Sequence, residues 1–372
     1  MKKSEIIEEL AHLKEIGNYR KIKNSNQEGI NLSSNDYLDL GNDRELREKF
    51  YKKYSPRLSS SSSRLIDGSY EEILNLEKRA EEIYGKPCIM FNSGFDANSS
   101  LIETFYNKES LIITDRLNHA SIYDGIINSK AKFLRYKHLD LNELEKLLIK
   151  YGKIYEDILV VTETVYSMDG DVADIEKIVK LKKKYDFSLM VDEAHSYGVY
   201  GYGLCYNLNL IDKIDFLVIP LGKGGGSVGA MVICDKYLKE FIVNKSRKFI
   251  FSTAIPPVNS CWNYFILERM SEFEEKRERL KELKDYTLKL LKENNISTTS
   301  STHIISIIIG DNHKIDKITE NMYNKGYKLY PVKEPTVPKG TARFRIGLNP
   351  SISILQMEKF VKELKDEIDT IF

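Results

Sequence analysis

The sequence lacks paired cysteines, an excess of charge of one sign and any long apolar run. Its four cysteines show no C-x-x-C spacing and have no histidine nearby, so they indicate neither a zinc site nor a redox dithiol. Lysine and arginine number 56 against 55 aspartates and glutamates, which excludes a surface built to attract nucleic acid or an anionic membrane. Without disulfide density, a secretory signal or a membrane-spanning run, the 372 residues predict a cytoplasmic protein.

Short apolar runs alternate with longer amphipathic segments over the first two thirds of the chain. The runs lie at residues 88–91, 111–114, 158–162, 188–192 and 216–220, and the helix-like segments include 71–84, 141–151 and 174–185. Continuous apolar strands separated by helices are typical of a mostly parallel sheet that is covered by helices on both faces. The expected fold class is therefore α/β.

The pattern changes after residue 235. Residues 265–295 are heavily charged and predict one long helix, followed by strand-like and helix-like segments at 303–309, 314–325, 341–347 and 355–372. We therefore expect an N-terminal arm at 1–38 that packs with a small α+β domain at 263–372, and a large α/β domain at 39–262. A serine run at 59–63 is either a hydroxyl-rich loop beside a site or a surface turn, and the sequence leaves both open.

Two segments at predicted strand ends carry groups suited to catalysis. The first is Asp192-Glu193-Ala194-His195, which begins where the run at 188–192 ends. A carboxylate at the end of a parallel strand lies on the edge of the sheet where such folds bind ligands. The same four letters occur in nucleic-acid helicases, but a helicase needs an upstream phosphate loop of the form G-x-x-x-x-G-K-[ST], which this sequence lacks. A helicase is therefore excluded.

The second segment is the glycine-rich turn that follows residue 220 and holds Lys223. Gly224, Gly226 and Gly229 match the dinucleotide pattern G-x-G-x-x-G, but residues 228–234 predict a strand where a dinucleotide site needs a helix. A lone lysine is usually a solvated surface charge, whereas a lysine on such a turn, away from bulk water, is suited to act as an amine nucleophile.

Together these segments suit pyridoxal 5′-phosphate (PLP). Lys223 would bind the cofactor as an imine, and His195 would reach the phenolic oxygen of the ring. Asp192 would keep the ring nitrogen protonated, because an adjacent negative charge raises the pKa of a pyridinium. A protonated ring is the electron sink that makes a carbanion accessible at the Cα of an amino acid.

Further runs along nearly the whole chain carry a family resemblance. They are NLSSNDYL at 31–38, FNSGF at 91–95, DRLNHAS at 115–121, TE at 162–163, YSMDGD at 166–171, FST at 251–253 and PTVPKGTAR at 335–343, besides the two segments above. This set resembles the α-oxoamine synthase family, a group of fold-type-I PLP transferases. The resemblance implies the decarboxylative condensation of L-alanine with a pimeloyl thioester of coenzyme A or acyl carrier protein, giving 8-amino-7-oxononanoate for biotin synthesis.

The same resemblance implies roles around the cofactor ring. Lys223 corresponds to the Schiff-base lysine and to the base that removes the Cα proton. Asp192 corresponds to the partner of the ring nitrogen, and His195 and Ser167 lie near the ring oxygen. His119 resembles the histidine that stacks on the face of the ring.

Phosphate and substrate contacts follow from the resemblance in the same way. The amides of Gly94 and Phe95 would bind the phosphate at a helix N-terminus. Thr253 resembles a residue that reaches the phosphate from the partner subunit, which implies a homodimer with shared active sites. The remaining implied contacts are to the two small-molecule substrates. Asn35 and Arg345 would hold the amino-acid carboxylate. Arg20 and Thr336 would contact the acyl substrate.

The chain departs from the family pattern at three positions, the first of which is Ile73, where the family often has a histidine. Pro220 stands where the family has a phosphate-binding threonine, and proline offers neither a hydroxyl nor an N–H. Lys333 stands where the family has an arginine, and lysine cannot form the same planar fork. Two alternatives stay open. One is a different α-oxoamine synthase, such as a glycine C-acetyltransferase or a serine palmitoyltransferase; the other is a non-catalytic, PLP-poor paralogue that acts as a binding subunit.

Overall fold

The computed structural model describes residues 2–22, 28–334 and 336–371. Pro335, from the last family run, lies outside the described residues. The strands are β1 Ile30–Asn31, β2 Cys88–Phe91, β3 Leu111–Asp115, β4 Lys132–Tyr136, β5 Ile158–Glu163, β6 Ser188–Asp192, β7 Phe216–Pro220, β8 Ala230–Cys234, β9 Ile304–Gly310, β10 Tyr327–Lys328, β11 Pro331–Val332 and β12 Ala342–Gly347. The helices are α1 Lys3–Glu15, α2 Arg44–Lys53, α3 Glu71–Tyr84, α4 Gly94–Phe105, α5 Ala120–Ser129, α6 Leu141–Tyr151, α7 Ile175–Lys184, α8 Leu204–Asn207, α9 Lys236–Lys245, α10 Arg247–Phe251, α11 Pro257–Glu268, α12 Glu274–Glu293, α13 Asn312–Asn324 and α14 Ile354–Ile371.

A seven-stranded sheet has the order β2-β8-β7-β6-β5-β3-β4. The pairs from β7 through β6, β5 and β3 to β4 are parallel, and β8 pairs antiparallel with both β7 and β2. Every residue of β3, β5, β7 and β8 is buried, as expected for strands covered on both faces. The mostly parallel sheet predicted from the apolar runs is confirmed.

The register of this sheet brings chemistry-bearing residues to one edge. Glu163, the last residue of β5, is the Cα partner of Asp192, the last residue of β6. Pro220 ends β7, which pairs in parallel with β6. Ligands of open α/β sheets bind outside the carboxyl ends of the strands, so this edge is where a site is expected.

The chain forms two compact units. Unit 1 combines Met1–Asn35, Met168–Asp171 and Glu278–Phe372, and unit 2 combines Asp36–Ser167 and Val172–Arg277. Unit 1 holds the antiparallel sheet β11-β12-β9 and the parallel pair β1-β10. Unit 2 holds the seven-stranded sheet.

These units differ from the three-part division predicted from the sequence in where they place three segments. Residues 36–38 belong to unit 2 and not to the N-terminal arm. Residues 263–277 belong to unit 2, where the ring of Phe265 packs edge-on against the rings of Phe50 and Tyr54. Met168–Asp171 belongs to unit 1, where Asp169 pairs with Arg343. The assignments of 263–277 and 168–171 rest on contacts between positions far apart in the chain, which local sequence patterns do not reveal.

The prediction of a single helix over residues 265–295 is wrong. The structure has α11, then a 3₁₀ turn at Met270–Phe273, then α12. At Arg269 the backbone leaves the helical region, with φ −105° and ψ 9°. Met270 and Phe273 are both buried, and residues three apart share one side of a 3₁₀ turn, so the turn places both in the core.

We find no helix in the described part of the chain that is long and apolar enough to cross a membrane.

Candidate active site

A cavity of about 280 Å³ lies in unit 2 at the carboxyl edge of the large sheet. Five of the residues predicted from the sequence line it, namely Gly94, Phe95, His119, Asp192 and Lys223. Further lining residues include Asn92, Asn98, Glu163, Pro220 and Gly229. The structure therefore brings together residues that are separated by well over one hundred positions in the chain.

Asp192 is fixed at the wall of this cavity by hydrogen bonds to both carboxylate oxygens. Its side chain is buried, Oδ1 accepts the Ala194 N–H at 2.8 Å, and Oδ2 accepts Asn98 Nδ2–H at 2.6 Å. Asn98, on α4, also donates to Ser121 Oγ at 3.0 Å, which anchors the amide itself. Donors on both sides hold the carboxylate in one orientation.

Lys223 belongs to a hydrogen-bonded chain of three side chains. Its Nζ lies 2.9 Å from His195 Nε2, and His195 Nδ1 lies 2.6 Å from the hydroxyl of the buried Tyr37. An ammonium can only donate, so a protonated Lys223 makes Nε2 an acceptor and places the imidazole proton on Nδ1, from which it is donated to Tyr37. The geometry thus couples the protonation of Lys223 to the tautomer of His195.

The N-terminus of α4 points backbone amides toward the same cavity. Ser93 caps the helix by accepting the Asp96 N–H at 3.0 Å, and Gly94 and Phe95 occupy the first turn, where amides have no carbonyl partner within the helix. Such a terminus favours an anion. A Cβ added to Gly94 would lie 2.6 Å from Pro220 Cγ, so the proline ring packs directly against this glycine.

Two further buried carboxyl groups flank Asp192. Burial and the negative charge of Asp192 raise the pKa of Glu163 to about 8, although Lys223 and the His119 N–H lower it. Burial raises the pKa of Glu193 to about 7, against hydrogen bonds that include the Cys205 N–H. Near neutral pH Glu163 therefore holds its proton.

Other predicted residues lie outside the cavity lining. Ser167 is half-buried, four positions beyond the end of β5. Thr253 is exposed, and its carbonyl oxygen accepts Asn92 Nδ2–H at 2.7 Å. The serine run left open by the sequence packs on the same segment, because Ser60 Oγ donates to the Ala254 carbonyl at 2.6 Å and Ser63 bridges to Thr253.

The four predicted substrate contacts all belong to unit 1. Arg20 Nη2 donates to Thr336 Oγ1 at 3.4 Å, and both side chains are exposed. Arg345 is buried on β12, and Asn35 is half-buried at the end of the N-terminal segment of that unit. Lys333 contacts the carboxylate of Asp316 at 2.8 Å.

Sequence reasoning missed three residues of the site, Tyr37, Asn98 and Glu163. Tyr37 and Glu163 lie within runs that carried the family resemblance, but neither received a role there. Their partners are distant in the chain, since 158 positions separate Tyr37 from His195 and 44 separate Glu163 from His119. For Glu163 the available signal was its position directly after the apolar run at 158–162.

Comparison with known proteins gives concordant results. The family model for aminotransferases of class I and II matches residues 27–364. A protein from Glaesserella parasuis named "Putative 8-amino-7-oxononanoate synthase" is 39% identical over 362 residues, covering 92% of this chain and 95% of its own.

Solved structures resemble the chain over most of its length. A serine palmitoyltransferase from S. paucimobilis with a bound PLP–myriocin aldimine has a TM-score of 0.89 at 24% identity, covering 99% of this chain and 97% of its own. An 8-amino-7-oxononanoate synthase from Francisella tularensis has a TM-score of 0.77 at 26% identity, covering 92% and 98%.

Proposed function

The chain belongs to the class I and II aminotransferase family, and we propose that it condenses L-alanine with a pimeloyl thioester to give 8-amino-7-oxononanoate, CO₂ and a free thiol. The relative from G. parasuis carries this proposal, because its 39% identity extends over nearly the full length of both chains. The likeness to the α-oxoamine synthases and the fold-type-I transferase fold, both expected from the sequence, are confirmed. The protein is a PLP-dependent acyltransferase.

The cofactor is pyridoxal 5′-phosphate, as the family and the PLP-bound serine palmitoyltransferases indicate. The donor set of the cavity fits this group. An amine on Lys223, a fixed carboxylate on Asp192 and the first-turn amides of α4 match the aldehyde, the ring nitrogen and the phosphate of the cofactor. When bound, PLP supplies an electron sink that stabilises negative charge on the Cα of an amino acid.

Lys223 is the residue we assign to proton transfer at Cα. In the protein its Nζ is held by His195, which is in turn held by Tyr37. These hydrogen bonds orient the amine of Lys223. A proton that Lys223 accepts can then pass along the hydrogen bond to His195. We assign Asp192 to the ring nitrogen, His119 to the ring face, and Ser167 with His195 to the ring oxygen.

Substrate binding is assigned to unit 1. Arg345 and Asn35 would hold the amino-acid carboxylate, with the guanidinium as a two-pronged donor that sets the orientation of the Cα–H bond. Arg20 and Thr336, which contact each other at 3.4 Å, would bind the acyl substrate. Coenzyme A and acyl carrier protein both remain candidates for the carrier of the pimeloyl group.

We further propose that the protein forms a homodimer with shared active sites. We also propose that it acts in biotin synthesis and that it is located in the cytoplasm. Thr253 supports the shared site, since its side chain is exposed and it is not among the described residues that line the cavity of its own subunit. Its backbone is nevertheless anchored at the cavity rim through Asn92. A residue fixed in this way is available to a second subunit.

The test is a product assay by mass spectrometry on the PLP-loaded protein. L-alanine with pimeloyl-coenzyme A, and separately with pimeloyl-acyl carrier protein, should yield 8-amino-7-oxononanoate. Glycine with acetyl-coenzyme A and L-serine with palmitoyl-coenzyme A serve as competing pairs. A faster reaction with either competing pair would replace the proposed activity with another member of the family.

A further inference from the structure

Glu163 is a polar residue of the cavity that no assigned role uses. It ends β5 in register with Asp192 on β6, and its side chain is buried. Its Oε1 accepts the backbone N–H of His119 at 2.6 Å. Glu163 lines the cavity, as do His119, Asp192 and Lys223. Its hydrogen bond therefore ties the segment that holds His119 to the end of strand β5.

The ring of His119 is held from a second side. His119 is the N-cap residue of α5, and its Nδ1 accepts the Ser121 N–H at 3.3 Å and lies 2.8 Å from Ser121 Oγ. A backbone N–H can only donate, so Nδ1 carries no proton and the neutral ring has its hydrogen on Nε2. The amide of His119 is thus fixed by Glu163 and its imidazole by Ser121.

Charged groups from several elements face this pair. Around Glu163 these are Asp192 at the end of β6, Lys223 on the glycine-rich turn and Asp115 at the end of β3. Burial lowers the pKa of His119, as does Lys223, while Asp192 and Asp124 raise it. A second carboxylate charge at Glu163 would therefore be repelled by Asp192 and Asp115 and attracted by Lys223.

We propose that Glu163 is a positioning residue of the active site, which accepts the backbone N–H of His119 and so fixes the position of His119. The proposal rests on the proposed function only for the role of the His119 ring toward cofactor and substrate. The hydrogen bond itself is a property of the folded chain, and both oxygens of a neutral carboxyl group, or the carbonyl of an amide, can accept it.

The experiment compares Glu163→Gln, which keeps an acceptor for the His119 N–H, with Glu163→Ala, which removes it. The first readout is an NMR titration of the His119 imidazole in the cofactor-free protein. Glu163→Gln should leave the midpoint unchanged, and Glu163→Ala should move it upward, because a freed loop gains water around the ring. Circular dichroism checks that both variants fold.

A second readout is the turnover of the PLP-loaded protein. At pH 7 Glu163→Gln should keep turnover within about threefold, while Glu163→Ala should lose about tenfold or more through misplacement of His119.

Glu193→Gln is the matched control, since Glu193 is also a buried acid next to Asp192 but is not among the described residues that line the cavity. It should leave the His119 titration unchanged. The proposal is overturned if Glu163→Gln shifts the His119 midpoint as far as Glu163→Ala does, if Glu163→Ala shifts nothing, or if Glu163→Gln loses as much turnover as Glu163→Ala. A negative product assay with the NMR result intact would remove the proposed reaction and leave the positioning role.

Discussion

The cavity in unit 2 and the predicted substrate contacts in unit 1 are built in different ways. In unit 2, Asp192 ends a buried strand and both of its oxygens accept short hydrogen bonds. In unit 1, the exposed side chains of Arg20 and Thr336 share one long contact of 3.4 Å. Groups tied to strand ends tolerate little change, whereas exposed side chains on loops are readily replaced. We therefore propose that the first region determines the class of chemistry and the second the choice of acyl substrate.

Lys223→Ala should produce the largest effect, and it tests the cavity side of this comparison, in unit 2. Loss of the amine removes both the proposed attachment point of the cofactor and the proposed base, so turnover should fall by about a thousandfold or more. Steady-state assays measure the loss, and circular dichroism should show an unchanged fold. Substantial residual activity would contradict the assigned base.

Gly94→Ala should have the next largest effect, on cofactor affinity. A Cβ at this position would lie 2.6 Å from Pro220 Cγ and would push the first turn of α4 away from its place. The dissociation constant for PLP should rise about tenfold, measured by fluorescence titration. In the double variant Gly94→Ala with Pro220→Gly both clashing atoms, Cγ at 2.6 Å and Cβ at 2.9 Å, are removed, so affinity should recover. Equal loss in both variants would show that the proline contact is not the cause.

Thr336→Ala should have a modest effect that is confined to the acyl substrate. Loss of one exposed hydroxyl should raise KM for the pimeloyl thioester about three- to tenfold and leave kcat and KM for L-alanine unchanged. Thr370→Ala, an exposed threonine on α14, is the control and should behave as the wild type. A fall in kcat with unchanged KM would move Thr336 from substrate binding to the chemical step.

The smallest effect on activity is expected for Glu193→Gln, which instead changes the pH dependence of stability. Burial raises the pKa of Glu193 from 4.5 to about 7, so the folded state keeps a proton that the unfolded state loses. Wild-type stability from this group should therefore fall as pH rises from about 4.5 to about 7.

Urea unfolding of the cofactor-free proteins at pH 4.5 and pH 7.5 measures this decline. Over that range the free energy of unfolding should shift in favour of Glu193→Gln by up to about 3 kcal/mol. A difference between the two proteins that stays constant with pH would contradict the raised pKa.

Apolar runs in the sequence predicted the buried strands of the large sheet correctly. The apolar runs ending at Asp192 and Pro220 gave the correct strands, because a strand buried on both faces is a continuous apolar run. β4 was not singled out, since only Tyr136 of its five residues is buried and no apolar run marks it. The prediction of one long helix was wrong at Arg269, where the helix ends although the charged pattern continues. The break places Met270 and Phe273 in the core.

The site divides in the same way. Lys223 and Asp192 were predicted because each follows an apolar run and suits a known chemistry, and both line the cavity. Tyr37 and Glu163 were missed because what makes them part of the site is a hydrogen bond to a distant position, and only the folded chain shows it. Where Pro220 stands, the sequence showed the loss of a hydroxyl but not the packing of its ring on Gly94.

The central claim is that Lys223 and Asp192 jointly generate a nucleophilic carbon from an amino acid. It is tested most directly by the exchange of the L-alanine Cα proton in D₂O, followed by NMR on PLP-loaded protein without any acyl donor. The wild type should exchange this proton, and Asp192→Asn, which keeps the shape of the side chain but not its charge, should be slower by about a hundredfold or more. Exchange by Asp192→Asn at the wild-type rate, with PLP bound, would contradict the account.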